Sequence, residues 1–357
     1  MRQYSKKPDI ISKSDAGAYC KRPCFLREFG VLKGDAVYRP RGLRDFQIKM
    51  LFIMPTLILL VVMNIFPLLW SLILSFTRYS AINPQPPDFV GAGNYSEILS
   101  QRSTWSFFTT TAYFVVLAVT AQFIIGFGLA LFLNREFMGK GVVTTLILIP
   151  MMLSPVVVGL FWRFILDSSW GIFNYLLSLI PAALYRLTDA LNFPYGIVGW
   201  FQNMADSAKS FVWLTRPRTA LFSLVIIDTW MWSPFMMLLS LAGLSAVPEY
   251  LYEAAEIDRA SAWFKFRHVT LPLVSPLLII ALLFRTMDAF KLFDLTWVAT
   301  SGGPGSATET VSLNLFRRAF EEYNTGESCA LAYIILIVII ALSNIYIKYL
   351  NKARSGR

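Results

Sequence analysis

Apolar residues in this chain do not alternate with polar ones. They run on for twenty residues or more, and short polar segments separate the runs. Six runs stand out, at about 50–76, 107–133, 142–166, 219–244, 271–293 and 329–350. Each meets the length of about 20 apolar residues that a helix needs to cross a bilayer. No water inside a bilayer satisfies backbone groups, so such runs are expected to be helical. The short alternating pattern of a membrane barrel is absent. The expected fold class is all-α: a polytopic membrane protein with six transmembrane helices.

Between the third and fourth runs lies a long segment, 167–218. Within it "GIFNYLLSLIPAALYRL" is apolar but only 17 residues long, and Pro181 interrupts it. It reads as a helix lying in the outer interface, where its tyrosines would sit at headgroup level. A re-entrant segment is the alternative. Further on, "FPYGIVGWFQN" reads as turn and loop.

Composition strengthens the membrane reading. Of the 357 residues, 56% are hydrophobic and 15% charged, whereas soluble domains carry about 25% charged residues. Charge then orients the chain. Twelve Lys and Arg fall in residues 1–49. On the same side come Arg135 and Lys140, then Arg259, Lys265 and Arg267, then Lys348, Lys352, Arg354 and Arg357. The opposite loops hold fewer: Arg78, Arg102, Arg186, Lys209, Arg216, Arg218, Arg317 and Arg318. The bias places both termini in the cytoplasm. The net charge of +10 then anchors the inner face and calls for no nucleic-acid partner.

The tail 1–48 has no apolar h-region, so it does not read as a signal peptide. Cys20 and Cys24 have no second pair, and the single histidine, His268, is far off. No zinc site is expected. Cys329 falls within a span. The organisation expected is a cytoplasmic tail at 1–48, a first span at 49–76, a permease core at 103–350 and a cytoplasmic loop at 247–270 within that core.

Catalytic motifs are missing. There is no G-x-x-x-x-G-K-[ST] to cradle nucleotide phosphates, no H-E-x-x-H and no G-x-S-x-G. The chain reads as a conduit rather than an enzyme. Energy then comes from a partner or from an ion gradient.

One polar segment breaks the pattern: "VPEYLYEAAEIDRASAWFKFRHVTLPLVSP", residues 247–276. Pro248 and Glu249 suit a helix start, since proline has no N–H to orphan and an acid favours the positive dipole end. Ala254, Ala255 and Ala260 are small enough for close approach by another protein. Glu253, Glu256 and Asp258 offer acids to basic partner residues. An ordinary solvated loop helix fits the same features. Pro272 and Pro276 are placed to bend the start of the fifth span.

"EAAEIDRASAWFKFRHVTLPL" resembles the EAA loop of binding-protein-dependent ABC importer permeases, approximately E-A-A-x-x-D-G-A, a spacer, then I-x-L-P. Glu253, Ala254, Ala255, Asp258, Ala260, Leu271 and Pro272 match. "DTWMWSPFMMLLSLAGLSAVPEYLYEAA", "FRTMDAFKLFDLTWVATSGGPGSATET" and "FPLLWSLILSFTRYS" resemble the carbohydrate-uptake branch, the relatives of the maltose permease. The likeness covers about 45–350. It implies the type I ABC importer permease fold and import of a sugar, oligosaccharide or related solute across the bacterial inner membrane. It implies a second permease subunit, a cytoplasmic ABC ATPase dimer that binds the ATP, and an extracytoplasmic solute-binding protein. No cofactor of the chain's own is implied. It also implies that Glu253, Ala254, Ala255, Asp258, Arg259 and Ala260 belong to a coupling helix docked on the ATPase.

Arg259 departs from the pattern, which has glycine there. Glycine permits an unusual backbone angle. Arginine does not, but is spaced to pair with Glu256 at i,i+3.

The fifth span contains Arg285 and Asp288, which share a helix face with Ala289 and Leu292. Charges inside a span face a cavity or a partner charge. The resemblance implies that this face borders the sugar site; an internal Arg285–Asp288 pair that fixes packing is the other reading. The fourth span offers Asp228, Trp230 and Trp232. Tryptophan packs on the C–H face of a sugar, or anchors a helix. Arg285 also suits an acidic or phosphorylated cargo. The leading alternative function is a secondary transporter that uses Asp228 or Asp288 to couple protons or sodium. A membrane-embedded enzyme is disfavoured by the missing motifs.

Overall fold

The computed structural model describes residues 45–83, 86–191 and 193–355. The expected tail, with Cys20 and Cys24, lies outside the described residues up to 44. From Asp45 the backbone is already helical, before the expected start of the first span.

The chain divides into two units, Met1–Val61 and Val62–Arg357. The described part of the first is α1 (Asp45–Leu60) and Val61. A π turn at Val61–Ile65 precedes α2 (Phe66–Ser75), which opens the second unit's helices and carries proline in its first turn. Proline has no N–H for the regular ladder, and the wider turn absorbs the loss. A two-residue antiparallel ladder pairs Thr77 with Phe89 and Arg78 with Asp88. Then come α3 (Gly93–Ser100), α4 (Arg102–Leu133), α5 (Lys140–Met152), α6 (Pro155–Ile165), α7 (Ile172–Ala190), α8 (Tyr195–Lys209) and α9 (Pro217–Ser245). After α10 (Glu249–Ile257) and α11 (Ala262–Lys265), a π turn leads into α12 (Leu271–Phe290). α13 (Asp294–Thr300), α14 (Val311–Phe316) and α15 (Thr325–Ser355) complete the chain.

Five helical stretches are long and apolar enough to cross a membrane: Lys49–Ser75, Arg102–Leu133, Pro217–Ser245, Ala262–Phe290 and Thr325–Ala353. The third expected span is not one straight helix. α5 and α6 meet at 97° and make a sixth crossing only if counted as one broken span. Leu153 and Ser154 between them are extended, with ψ of 147° and 138°. Ser154 precedes Pro155, and the proline ring disfavours helical angles in the residue before it.

α9 is the centre of the second unit and packs against α4, α5 and α12. It is buried on most sides, so it carries apolar residues around most of its circumference. Its closest neighbour is α4. A side chain at Gly126 would meet Met236 Cβ at 2.6 Å and the Ser233 carbonyl oxygen at 2.7 Å. Only glycine lets the two backbones come this close, the device membrane helices use where lipid gives no hydrophobic drive to associate. Ala130, Met237 and Val274 belong to one buried apolar cluster, and Phe114, Leu224, Ile227 and Leu331 to another.

The segment between the third and fourth spans is helical at α7, as expected, and departs from expectation after it. α7 pairs with α8 as a helical hairpin, and α8 includes most of the stretch expected to be turn and loop. Asn174, buried on α7, donates from Nδ2 to the carbonyls of Lys209 (3.2 Å) and Phe211 (2.9 Å). Trp213 Nε1 donates to Asn174 Oδ1 at 2.6 Å. These bonds tie the end of α8 back to the start of α7.

Candidate functional site

Two groups of residues singled out in the sequence lie far apart in chemistry: an exposed polar helix and a buried charge cluster.

The exposed helix is α10. Pro248, extended at ψ 133°, starts it, and Glu249 sits in its first turn. It ends on a left-handed residue. Ala260 N donates to the Ala255 carbonyl and Arg259 N to the Glu256 carbonyl, both at 2.9 Å, the paired bonds of a Schellman motif. Arg259 has φ +52°. It therefore adopts the conformation that glycine takes without cost. The expected Arg259–Glu256 pair does not form. Glu256 is bonded instead to Lys265 Nζ at 2.9 Å, because the left-handed turn brings α11 back beside α10.

No residue of α10 is buried. Glu253, Ala254, Asp258 and Arg259 are exposed, and Ala255 and Ala260 partly so. Apolar side chains are exposed beside them: Ile257 at 82%, Trp263 at 66% and Tyr250 at 64%. Ile257 and Trp263 were not singled out from the sequence. The signal was available, since an isoleucine in a solvated turn has no reason to be there. Tyr252 anchors the segment, its hydroxyl 2.9 Å from Thr270 Oγ1.

A left-handed residue with a side chain costs about 1 kcal/mol or slightly more. Arg259→Gly is therefore expected to stabilise the protein by up to about 1 kcal/mol, the greater chain entropy of unfolded glycine taking back part of it. Thermal unfolding of the purified protein reads this as a small rise in midpoint, and a fall would mean that Arg259 makes contacts worth more than its strain.

The buried cluster joins three helices. Arg285, on α12, is 2% exposed. Its Nε donates to Gln122 Oε1 on α4 at 2.6 Å. Its Nη2 bonds Asp228 Oδ2 on α9, and its Nη1 donates to Asp288 Oδ2 at 2.7 Å. Gln122 Nε2 donates to the same Asp228 oxygen at 2.7 Å. The guanidinium lies 5.1 Å from the ring centre of Trp232. The Arg285–Asp288 pair expected from spacing is present, but it is the outer edge of a larger network. Asp228 is as buried as Arg285, and neither Gln122 nor this pairing was anticipated.

The four-residue face of the fifth span splits up. Arg285 and Ala289 are buried, and Asp288 is 56% exposed. Leu292 is past the helix end, where its carbonyl accepts from Thr310 Oγ1 at 2.9 Å. Trp230 packs edge-on against Trp162, away from the cluster, with ring centres 5.6 Å apart.

A second buried arginine, unremarked in the sequence, ties the outer segments together. Arg318 donates from Nε to Asn314 Oδ1 at 2.9 Å and from Nη2 to Gln101 Oε1 at 2.8 Å, and pairs with Glu327. Beside α6 a cleft of about 300 Å³ is lined by Arg163, Asp167, Trp213 and Thr300. The backbone N–H groups of Trp170 and Ser169 hold the Asp167 carboxyl below its ordinary range. Among the described residues no group of three or more His, Cys, Asp or Glu is arranged to hold a metal ion.

Residues 122–356 match the family described as binding-protein-dependent transport system inner membrane component. The chain is 34% identical over 308 residues to the trehalose/maltose transport system permease protein of Thermococcus litoralis, covering 85% of this chain and 94% of that protein. It is 33% identical over 323 residues to the trehalose transport system permease protein of Mycobacterium tuberculosis, covering 90% and 95%. Among solved structures, a subunit of a bacterial ABC transporter that imports the acidic polysaccharide alginate superposes with a TM-score of 0.68 at 18% identity. That match covers 86% of this chain and 97% of the subunit.

Proposed function

Because the chain belongs to the inner-membrane components of binding-protein-dependent transport systems, and is thus a multi-pass membrane permease, we propose that it carries a sugar or oligosaccharide into the cytoplasm on energy from a partner ATPase. The names of its relatives support a carbohydrate cargo. The reading of the partner rests on α10. A helix with no buried residue that exposes Tyr250 and Ile257 among acids suits a protein surface better than water.

In this reading Glu253, Ala254, Ala255, Asp258, Arg259 and Ala260 form the coupling helix. The ATPase dimer binds the ATP, and the permease needs no cofactor of its own. A second permease subunit completes the pathway, a solute-binding protein delivers cargo from outside, and both termini lie in the cytoplasm. ATPase closure moves α10 as a rigid element and switches the pathway between two packed states. The buried cluster borders that pathway through Asp288 and Trp232. Use of Asp228 as a proton carrier, as a secondary transporter would need, is disfavoured because its Oδ2 is engaged by both Arg285 and Gln122.

Docking is tested by charge reversal. Glu253 is exposed, so Glu253→Lys is expected to fold normally and to weaken retention of the ATPase about tenfold or more, as loss of an interfacial ion pair does. Copurification at equal membrane abundance reads the result. Unchanged retention would remove Glu253 from the interface.

A further inference from the structure

We propose that the cluster on this chain selects uncharged, hydroxyl-rich cargo and repels anionic sugars, so that Arg285 is not an anion-binding group. The proposal rests on the reading above that the cluster borders the pathway, and it names the cargo that such a wall accepts.

The argument is an accounting of donors and charges. A guanidinium has donors on three nitrogens. In Arg285 three of the five N–H groups are engaged, one on each nitrogen: Nε by Gln122, Nη1 by Asp288 and Nη2 by Asp228, and burial closes off the other two. At 2% exposure no edge of it is left for a ligand. One face of the group is also covered by Trp232. An anion would have to strip Asp228 or Asp288 from it, leaving a carboxylate without its cation in a low-dielectric site.

The charges point the same way. Two carboxylates share one guanidinium, so the formal charge of the cluster is −1 with both acids ionised. The next cation along α12 is Lys291, at the helix C-cap. It is exposed and makes no ion pair among the described residues. What the cluster presents outward is Asp288. Its Oδ2 is held by Arg285, and the residue is 56% exposed. A carboxylate oxygen accepts from sugar hydroxyls in charge-assisted bonds. The half-buried Trp232, against the Arg285 guanidinium, offers an aromatic surface to sugar C–H groups. A carboxylated or phosphorylated sugar meets the same carboxylate as a like charge, which repels it.

The test must bypass the solute-binding protein, which selects cargo first. The permease complex with its ATPase, in nanodiscs and without binding protein, is titrated with radiolabelled trehalose and with a glucuronic-acid disaccharide of similar size. The wild type is expected to bind the neutral sugar at least about tenfold more tightly, as like-charge contact in such a site requires. Asp288→Asn keeps an acceptor for Arg285 and removes the net charge. It is expected to narrow the ratio to about threefold or less, by improved binding of the acid. Equal or tighter binding of the acid by the wild type would overturn the proposal. So would an unchanged ratio in Asp288→Asn, or binding of neither sugar. Neutral-sugar uptake with the binding protein present separates the two readings. If Asp288→Asn and Trp232→Phe both leave it unaltered, the placement of the cluster on the pathway fails. If uptake changes while the ratio does not, the charge argument alone fails.

Discussion

Arg285→Gln is expected to empty the membrane of folded protein. The substitution removes the cation from a network in which Asp228 is as buried as Arg285. Asp228 would keep a single hydrogen bond, from Gln122 at 2.7 Å, and no positive partner. Breaking a buried pair by removing one member costs about 3–5 kcal/mol, a large part of a typical total of about 5–15 kcal/mol. Membrane abundance by immunoblot and the unfolding midpoint of the purified protein both read this loss. A double variant, Arg285→Leu with Asp228→Leu, separates charge from shape. Replacing both members of a buried pair by apolar groups is often neutral or stabilising, so it should recover much of the abundance. Normal abundance of Arg285→Gln alone would show that Asp228 does not depend on its cation.

The physical basis of this prediction was only half legible in the sequence. Arg285 and Asp288 are three residues apart on one helix, so their pairing follows from helical spacing. Gln122 and Asp228 are separated from Arg285 by 163 and 57 residues, and no local pattern links them. What the sequence does contain is the cost. Three ionisable residues within apolar runs require partners, and only α4, α9 and α12 packing together identifies which. The close approach at Gly126 that allows this packing is likewise a fact of two helices, not of either one alone.

The spans themselves were legible, because apolar length is a local property and the bilayer sets its scale. The bend between α5 and α6 was written in "PMMLSP", where Pro150 and Pro155 bracket Ser154, but an unbroken apolar run masks a break when only hydrophobicity is counted. α8 was missed for the opposite reason. Pro194, Gly196 and Gly199 resemble loop chemistry, and the helix is held by packing on α7 and by Asn174 across 35 residues or more. In the loop at 247–270, Pro248 and the helix-forming run marked α10 correctly. The partner of Glu256 was misassigned because the left-handed Arg259 reverses the chain, a geometry suggested by the glycine that the family places there and not by arginine.

The central claim is that this permease is driven by ATP hydrolysed on a partner and not by an ion gradient. The chain carries no phosphate-binding loop, yet α10 has no buried residue and exposes apolar side chains suited to a protein partner. Its buried acid Asp228 is bonded to both Arg285 and Gln122. In such a mechanism cavity switching follows ATPase closure transmitted through Glu253–Ala260, and no step requires a proton or sodium ion to cross with the cargo. The direct measurement is uptake of a labelled sugar that the external binding protein holds, into sealed proteoliposomes with the permease pair, the ATPase and that binding protein. Uptake is expected to fall to background without internal ATP, and to persist when ionophores collapse the proton and sodium gradients at constant ATP. Uptake that follows the ion gradient and ignores ATP would contradict the account and favour a secondary transporter.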